Sequence, residues 1–154
     1  MSPEKTDYPP LLQGGFHPVS LLELHQLTVS EFPNSQRRPR LFASLQIYLE
    51  LLEGTGLKAD VWVDGSYMSS KEEPDDIDLV VCFDPDSARS LSAEAQQQAR
   101  TLLDTHIVSC RFNLHLFRIM NNDPEALAYW SKLFGTMRDE RTPKGMALLR
   151  INND

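Results

Sequence analysis

Apolar positions along the chain alternate between helical and strand periods. Leu41, Leu45, Tyr48, Leu49 and Leu52 recur at three- and four-residue spacing, the stripe of a helix that buries one face. This predicts a long helix opening at Asn34 or Ser35 and running to Glu53, with Gly54 just past its end. Upstream, Ser20-Leu21-Leu22-Glu23 has the spacing of a capping box, so a short helix runs to Val29 and stops before Pro33. Two apolar runs, ADVWVD over residues 59–64 and IDLVVCF over 77–83, are short and rich in β-branched residues, hence strands. The second is apolar on both faces beyond Asp78 and therefore central. A helix is predicted over residues 87–103, with Ala88, Leu91, Ala95, Ala99 and Leu102 inward. A long strand is predicted over 107–119 (IVSCRFNLHLFRI). Asp123-Pro124 pairs an N-cap with proline at the first helical position. Its helix turns Ala126, Trp130, Leu133 and Phe134 inward and ends at Gly135, and residues 144–151 form a closing strand.

The order helix, helix, strand, strand, helix, strand, helix, strand predicts an α/β or α+β fold. It is a small mixed β-sheet flanked by helices, with the helices on one side. The length of 154 residues suits one domain. Residues 1–15, with their prolines and paired glycines, read as a flexible N-terminal tail, and 16–154 as the single domain. No apolar run reaches the ~20 residues of a membrane span, and the first residues lack the pattern of a signal peptide, so a cytoplasmic protein without a membrane partner is expected. Cys82 and Cys110 both fall in strand-like segments and are expected to be buried free thiols. The net charge of −7 disfavours a protein that coats long nucleic acid. It leaves room for a single nucleotide, whose phosphates need only a few placed cations.

The candidate chemistry lies in GSYMSSKEEPDDID, residues 65–78. Gly65 lets the backbone turn sharply and approach a phosphate. Ser66 offers a hydroxyl and an amide that becomes an anion donor if it opens a helical turn. Asp76 and Asp78 lie one pleat apart on the same face of a strand. So close, two carboxylates repel, and a divalent cation removes the conflict. Oxygen ligands of this kind suit Mg²⁺, which is often held by one or two carboxylates together with substrate phosphates. The competing reading is a loop glycine followed by a solvated acidic turn.

This pattern resembles the nucleotidyltransferase superfamily that includes DNA polymerase beta and the minimal nucleotidyltransferases of toxin–antitoxin modules. More of the chain, in GFHPVSLLEL, RRPRLF, VWVDGSYMSSKEEPDDIDLVV and YWSKLFGTMRDERTPKGMALL, is similar to a short bacterial branch of that superfamily. The resemblance implies Mg²⁺-dependent transfer of a nucleoside monophosphate from a triphosphate, with a two-metal site, to a hydroxyl on a protein, a tRNA end or a small molecule. It also suggests toxin–antitoxin or phage-defence settings. Gly65 and Ser66 match the phosphate-binding turn, and Asp76 and Asp78 the metal ligands. Lys71, after the turn, and Lys144, in a Lys-Gly pair like the family's C-terminal signature, are candidate nucleotide contacts, with Lys144 favoured.

The superfamily's third carboxylate sits on a later strand, and residues 107–119 contain no Asp or Glu. Asn113 is expected in that place, sharing a face with Arg111 and His115. An amide touches a metal without charge and is a poor base. His115 is read as a proton acceptor or soft ligand, or more commonly as a hydrogen-bonded histidine on a sheet face. The alternative function is therefore a catalytically weak or inactive antitoxin or regulatory module that keeps the fold. The cluster Arg37, Arg38 and Arg40 reads as a solvated face or as a contact for an anion. Trp130 and Phe134 read as core.

Overall fold

The structure is a computed structural model that describes residues 8–137, 139 and 141–153. Over the described residues it is an α+β fold with one five-stranded mixed sheet and six α-helices. The strands are β1 (Gly15–Pro18), β2 (Ala59–Asp64), β3 (Ile77–Phe83), β4 (Leu114–Met120) and β5 (Gly145–Ile151). The helices are α1 (Leu21–His25), α2 (Arg37–Thr55), α3 (Pro85–Arg89), α4 (Ala93–Leu102), α5 (Thr105–Phe112) and α6 (Pro124–Phe134). The strand order is β1-β5-β2-β3-β4. The pairs β5–β2 and β2–β3 are antiparallel, whereas β1–β5 and β3–β4 are parallel. Among the described residues no helix is long and apolar enough to cross a membrane.

Strand alternation divides the core in two. Val61, Val63, Leu79, Val81, Leu114 and Leu116 point to one face, where they meet Leu41, Leu45, Tyr48, Leu49 and Leu52 of α2. Trp62, Val80, Cys82 and Ile119 point to the other and are covered by α6 through Phe134 and Trp130. Helices thus lie on both sides of the sheet. The expectation of one covered side fails because α6 carries enough aromatic area to close the second face by itself: Phe117 meets Trp130 at 5.0 Å and Phe134 at 5.1 Å.

Several local signals act as read. The Ser20 capping box forms, with both reciprocal bonds at 3.1 Å, although the helix relaxes into a π-helical turn over Gln26–Ser30. Asp123 caps α6 by accepting from the Ala126 amide. Others move. Helix α2 starts at Arg37 and ends at Gly56, whose φ of 87° is the left-handed stop, and Gly54 lies inside it. The helix expected over residues 87–103 is two helices, because Ser92 begins a fresh cap on the Ala95 amide. The first part of the segment 107–119 is helical: Asp104 caps α5 through the Ile107 amide, Asn113 ends it at φ 55°, and only then does β4 begin. Cys110 therefore lies exposed on α5, while Cys82 is buried, and both are free.

Of the expected tail, residues 1–7 lie outside the described residues. Residues 9–12 are hydrogen-bonded to the body. Pro9 O accepts from the Ser70 amide, the Leu11 amide donates to Met68 O, and Leu12 O accepts from the Gly145 amide. Residues 15–18 add the edge strand β1.

Candidate functional site

The face covered by α6 runs out of apolar side chains at one end, and there polar groups replace them. In the β2–β3 register Asp64 stands opposite Asp78, and in the β3–β4 register Asp78 pairs with His115. All three share the face of Trp62, Val80 and Phe117 by alternation. Beyond them opens a cleft of about 800 Å³ lined by Gly65, Ser66, Lys71, Asp76, Asp78, His115 and Lys144, with Leu133, Phe134 and Met137 on its apolar side. Six of the seven residues expected to form the site thus meet in one cavity. The seventh, Asn113, does not line it.

Asn113 is not on a strand face at all. It takes the left-handed conformation that ends α5, a role that asparagine fills more readily than other non-glycine residues. Its side-chain amide donates to Asp75 O at 2.9 Å. The place beside Asp78 belongs to His115, two residues on, whose Nδ1 is 3.3 Å from Asp78 Oδ1. Asp76, Asp78 and His115 each present a ligand atom within 4.8 Å of the others. Two carboxylates and an imidazole fit a divalent cation, although the imidazole is a nitrogen donor and Mg²⁺ prefers oxygen.

Asp78 has its pKa raised, first by burial and then by the Asp76 charge, against the lowering pull of His115 and Lys144. The Gly65 backbone presses on it. Gly65 has φ 82°, and a Cβ there would fall 2.7 Å from Asp78 Oδ2. The glycine is required both by its dihedral and by this close approach. Gly65→Ala should displace the Asp78 carboxylate and lower stability by about 2–3 kcal/mol, measured as a shift of the urea midpoint. A change under half a kilocalorie would mean that the turn relaxes freely. Ser66 opens a short 3₁₀ turn to Met68 and lines the cleft.

The loop that brings Lys71 and Asp76 to the cleft is tied to the start of α2. Glu73 accepts from the Ser35 hydroxyl and from the Gln36 and Arg37 amides, which places a carboxylate at the helix N-terminus. Arg37 bonds Asp75 at 2.7 Å. Arg38 is fully buried. Its guanidinium donates to the carbonyls of Thr28, Tyr67, Ser69 and Lys71 and lies 3.7 Å from the Phe32 ring centre. The basic cluster is thus neither a uniformly solvated face nor, at Arg38, an anion contact: Arg38 is the post around which the Gly-Ser loop is wound.

From sequence Asp64, next to Gly65, reads only as a cap of the turn, and the structure gives it a larger part. It is 1% exposed, and neither carboxylate oxygen has a geometric hydrogen-bond partner. Its counterion is Lys144, with Nζ at 3.4 Å from Oδ1. Burial pushes the Asp64 pKa up to about 7 despite the Lys144 charge. Strand alternation from Trp62 was the available signal, since it puts Asp64 on the face of Asp78. Lys144 reaches the cleft, as expected, but from a place beside a buried acid.

Comparison with known proteins adds a family and no activity. No curated protein and no solved structure matches the chain. A family model described as "Family of unknown function (DUF6932)" matches residues 3–150, nearly the whole sequence, and the chain belongs to that family.

Proposed function

We propose that the protein binds a nucleoside triphosphate in this cleft and transfers a nucleoside monophosphate to a hydroxyl acceptor, with a divalent cation held by Asp76 and Asp78. One observation carries the reading: the Gly65 backbone lies against the Asp78 carboxylate, and Gly65, Ser66, Asp76 and Asp78 line a single cavity. Lys71 and Lys144 line the same cavity and supply positive charge for phosphate oxygens. A cation bound here would neutralise developing charge on the phosphates and lower the pKa of an attacking hydroxyl. The chain's own part is to hold the triphosphate by the Gly65 backbone and the Ser66 amide and hydroxyl, and to orient it. Leu133, Phe134 and Met137 line the same cavity and offer apolar surface to the rest of the nucleotide. A cytoplasmic setting, an acceptor on a protein, a tRNA end or a small molecule, and a role in toxin–antitoxin or defence modules all belong to this proposal.

His115 in the place of a third carboxylate favours a second reading, a regulatory or antitoxin module that binds nucleotide and transfers it slowly or not at all. Incubation with each α-labelled triphosphate, a divalent cation and candidate acceptors separates the two. Label transfer that falls to background in Asp76→Ala/Asp78→Ala is the result expected of the enzyme. Cation-dependent binding without transfer indicates the regulator. If calorimetry finds no cation-dependent triphosphate binding, both readings fail.

A further inference from the structure

The donor set at the end of β3 and β4 differs from an all-oxygen site, and the difference has a chemical consequence. His115 is fixed beside Asp78 by the parallel β3–β4 register and by its ring contact with Phe117 at 4.4 Å. Its Nδ1 faces Asp78 Oδ1 at 3.3 Å, and the three ligand atoms from Asp76, Asp78 and His115 lie within 4.8 Å of one another. In an octahedron with bonds of about 2.1 Å, neighbouring donors are about 3 Å apart and opposite ones about 4.2 Å. The Asp78–His115 pair is therefore near the separation of neighbouring donors already, and the set as a whole contracts by side-chain rotation to bind an ion. A further carboxylate stands at the same end of the sheet. Asp64, buried and with neither oxygen hydrogen-bonded, stands directly opposite Asp78 on the same face. There the ammonium of Lys144 meets Asp64 Oδ1 at 3.4 Å.

Resting on the cation-dependent reading above, we infer that Asp76, Asp78 and His115 form a mixed oxygen–nitrogen site that selects Mn²⁺ over Mg²⁺, with His115 as a direct ligand. Mg²⁺ holds oxygen ligands and gives up water reluctantly, so an imidazole in its shell is a poor exchange. Mn²⁺ shares the preference for carboxylate, water and phosphate oxygens and, as a transition ion, also accepts nitrogen. A softer ion such as Zn²⁺ would use the imidazole but favours fewer, tetrahedral ligands, which leaves little coordination for a triphosphate. His115 thus sets the identity of the metal where a carboxylate would leave Mg²⁺ adequate.

The test uses the full chain with MnCl₂ and MgCl₂ titrated separately by calorimetry, and pulsed electron paramagnetic resonance of the bound Mn²⁺. Mn²⁺ should bind at least about tenfold tighter than Mg²⁺ and show modulation from a directly coordinated nitrogen. His115→Ala should abolish that modulation and weaken Mn²⁺ by about tenfold or more. Its Mg²⁺ affinity should hardly change, which also reports an intact fold. His115→Asp should narrow the Mn²⁺/Mg²⁺ ratio. Bound Mn²⁺ without nitrogen modulation, or an Mn²⁺/Mg²⁺ ratio unchanged in His115→Ala, overturns the inference while leaving the site reading intact. If neither ion binds the wild type, or binding survives Asp76→Asn/Asp78→Asn, the inference and the cation-dependent function fall together.

Discussion

Arg38→Ala should lower the stability of the protein by about 4 kcal/mol and unfasten the loop of residues 66–76. The arginine is fully buried, and it donates to four backbone carbonyls, those of Thr28, Tyr67, Ser69 and Lys71. A buried carbonyl left without a donor costs about 1–3 kcal/mol. Several would be stranded at once, beside a cavity against the Phe32 ring. Relaxation and entering water reduce the total to the expected figure. The guanidinium is itself held under strain of solvation. Burial lowers its pKa, and Glu72 and Glu73, which raise it, act only as neighbouring charges. Its stabilisation therefore comes from the fan of carbonyls and not from an ion pair. Arg38→Lys should recover less than half of the loss, because one ammonium cannot span carbonyls that a planar fork reaches in several directions. Arg38→Met keeps most of the packing and separates volume from hydrogen bonding. Urea denaturation gives the stability, and hydrogen exchange of the amides of residues 66–76 gives the local effect. If Arg38→Lys is as stable as the wild type, the carbonyl fan is not what holds the loop.

Arg38 also shows where sequence reasoning stops. A basic run near a helix start has the composition of a solvated patch, and nothing local says that the middle residue lies beneath a loop thirty positions downstream. The strands ADVWVD and IDLVVCF were legible because an apolar run between turn residues needs only its own neighbours to be interpreted. So was α6, whose Asp-Pro start and aromatic stripe are local, although Leu133, expected inward, is half exposed. Residues 105–112 were misread because Ile107, Val108 and Phe112 favour a strand by propensity. In the fold Val108 is buried in the core and Phe112 meets Tyr48 at 5.5 Å, so packing outweighs propensity. The caps, Asp104 and Asn113, were present in the sequence and pointed the other way. That error moved the third site position by two residues, from Asn113 to His115. Which residue faces Asp78 depends on the β3–β4 register, which pairs two separate segments and cannot be read from either alone. Gly65, Ser66, Asp76 and Asp78 were legible because their chemistry is carried in one short stretch.

Lys144→Ala should leave the metal-free protein unaffected at pH 5 and destabilise it progressively above pH 7. In the fold Asp64 has a pKa of about 7, raised from 3.8 by burial and restrained by the Lys144 charge. A carboxyl whose folded pKa lies above its unfolded one binds its proton more tightly in the native state. Stability is then lost as pH rises from about 4 to about 7 and is level beyond, because both states are ionised. At pH 5 Asp64 is neutral and needs no counterion, so removing the amine costs little. Without Lys144 the folded pKa rises further, and the decline continues past 7 at about 1.4 kcal/mol per pH unit. Around pH 9 the variant should be about 2–3 kcal/mol less stable than the wild type. Asp64→Asn removes the ionisation altogether. It should flatten the Asp64 part of the profile between pH 4 and 7, and in that background Lys144→Ala should become nearly harmless at every pH. The comparison is made by urea denaturation in EDTA, so that no cation contributes. Parallel curves for wild type and Lys144→Ala from pH 5 to 9 would show that Asp64 does not depend on the lysine for its charge. Curves that diverge only above pH 7, and converge again in Asp64→Asn, would mean that Lys144 is held at the edge of the cleft by a buried acid. A phosphate in the cleft must then compete with Asp64 for the same ammonium, and the strength of that competition sets how much Lys144 can contribute to binding a triphosphate.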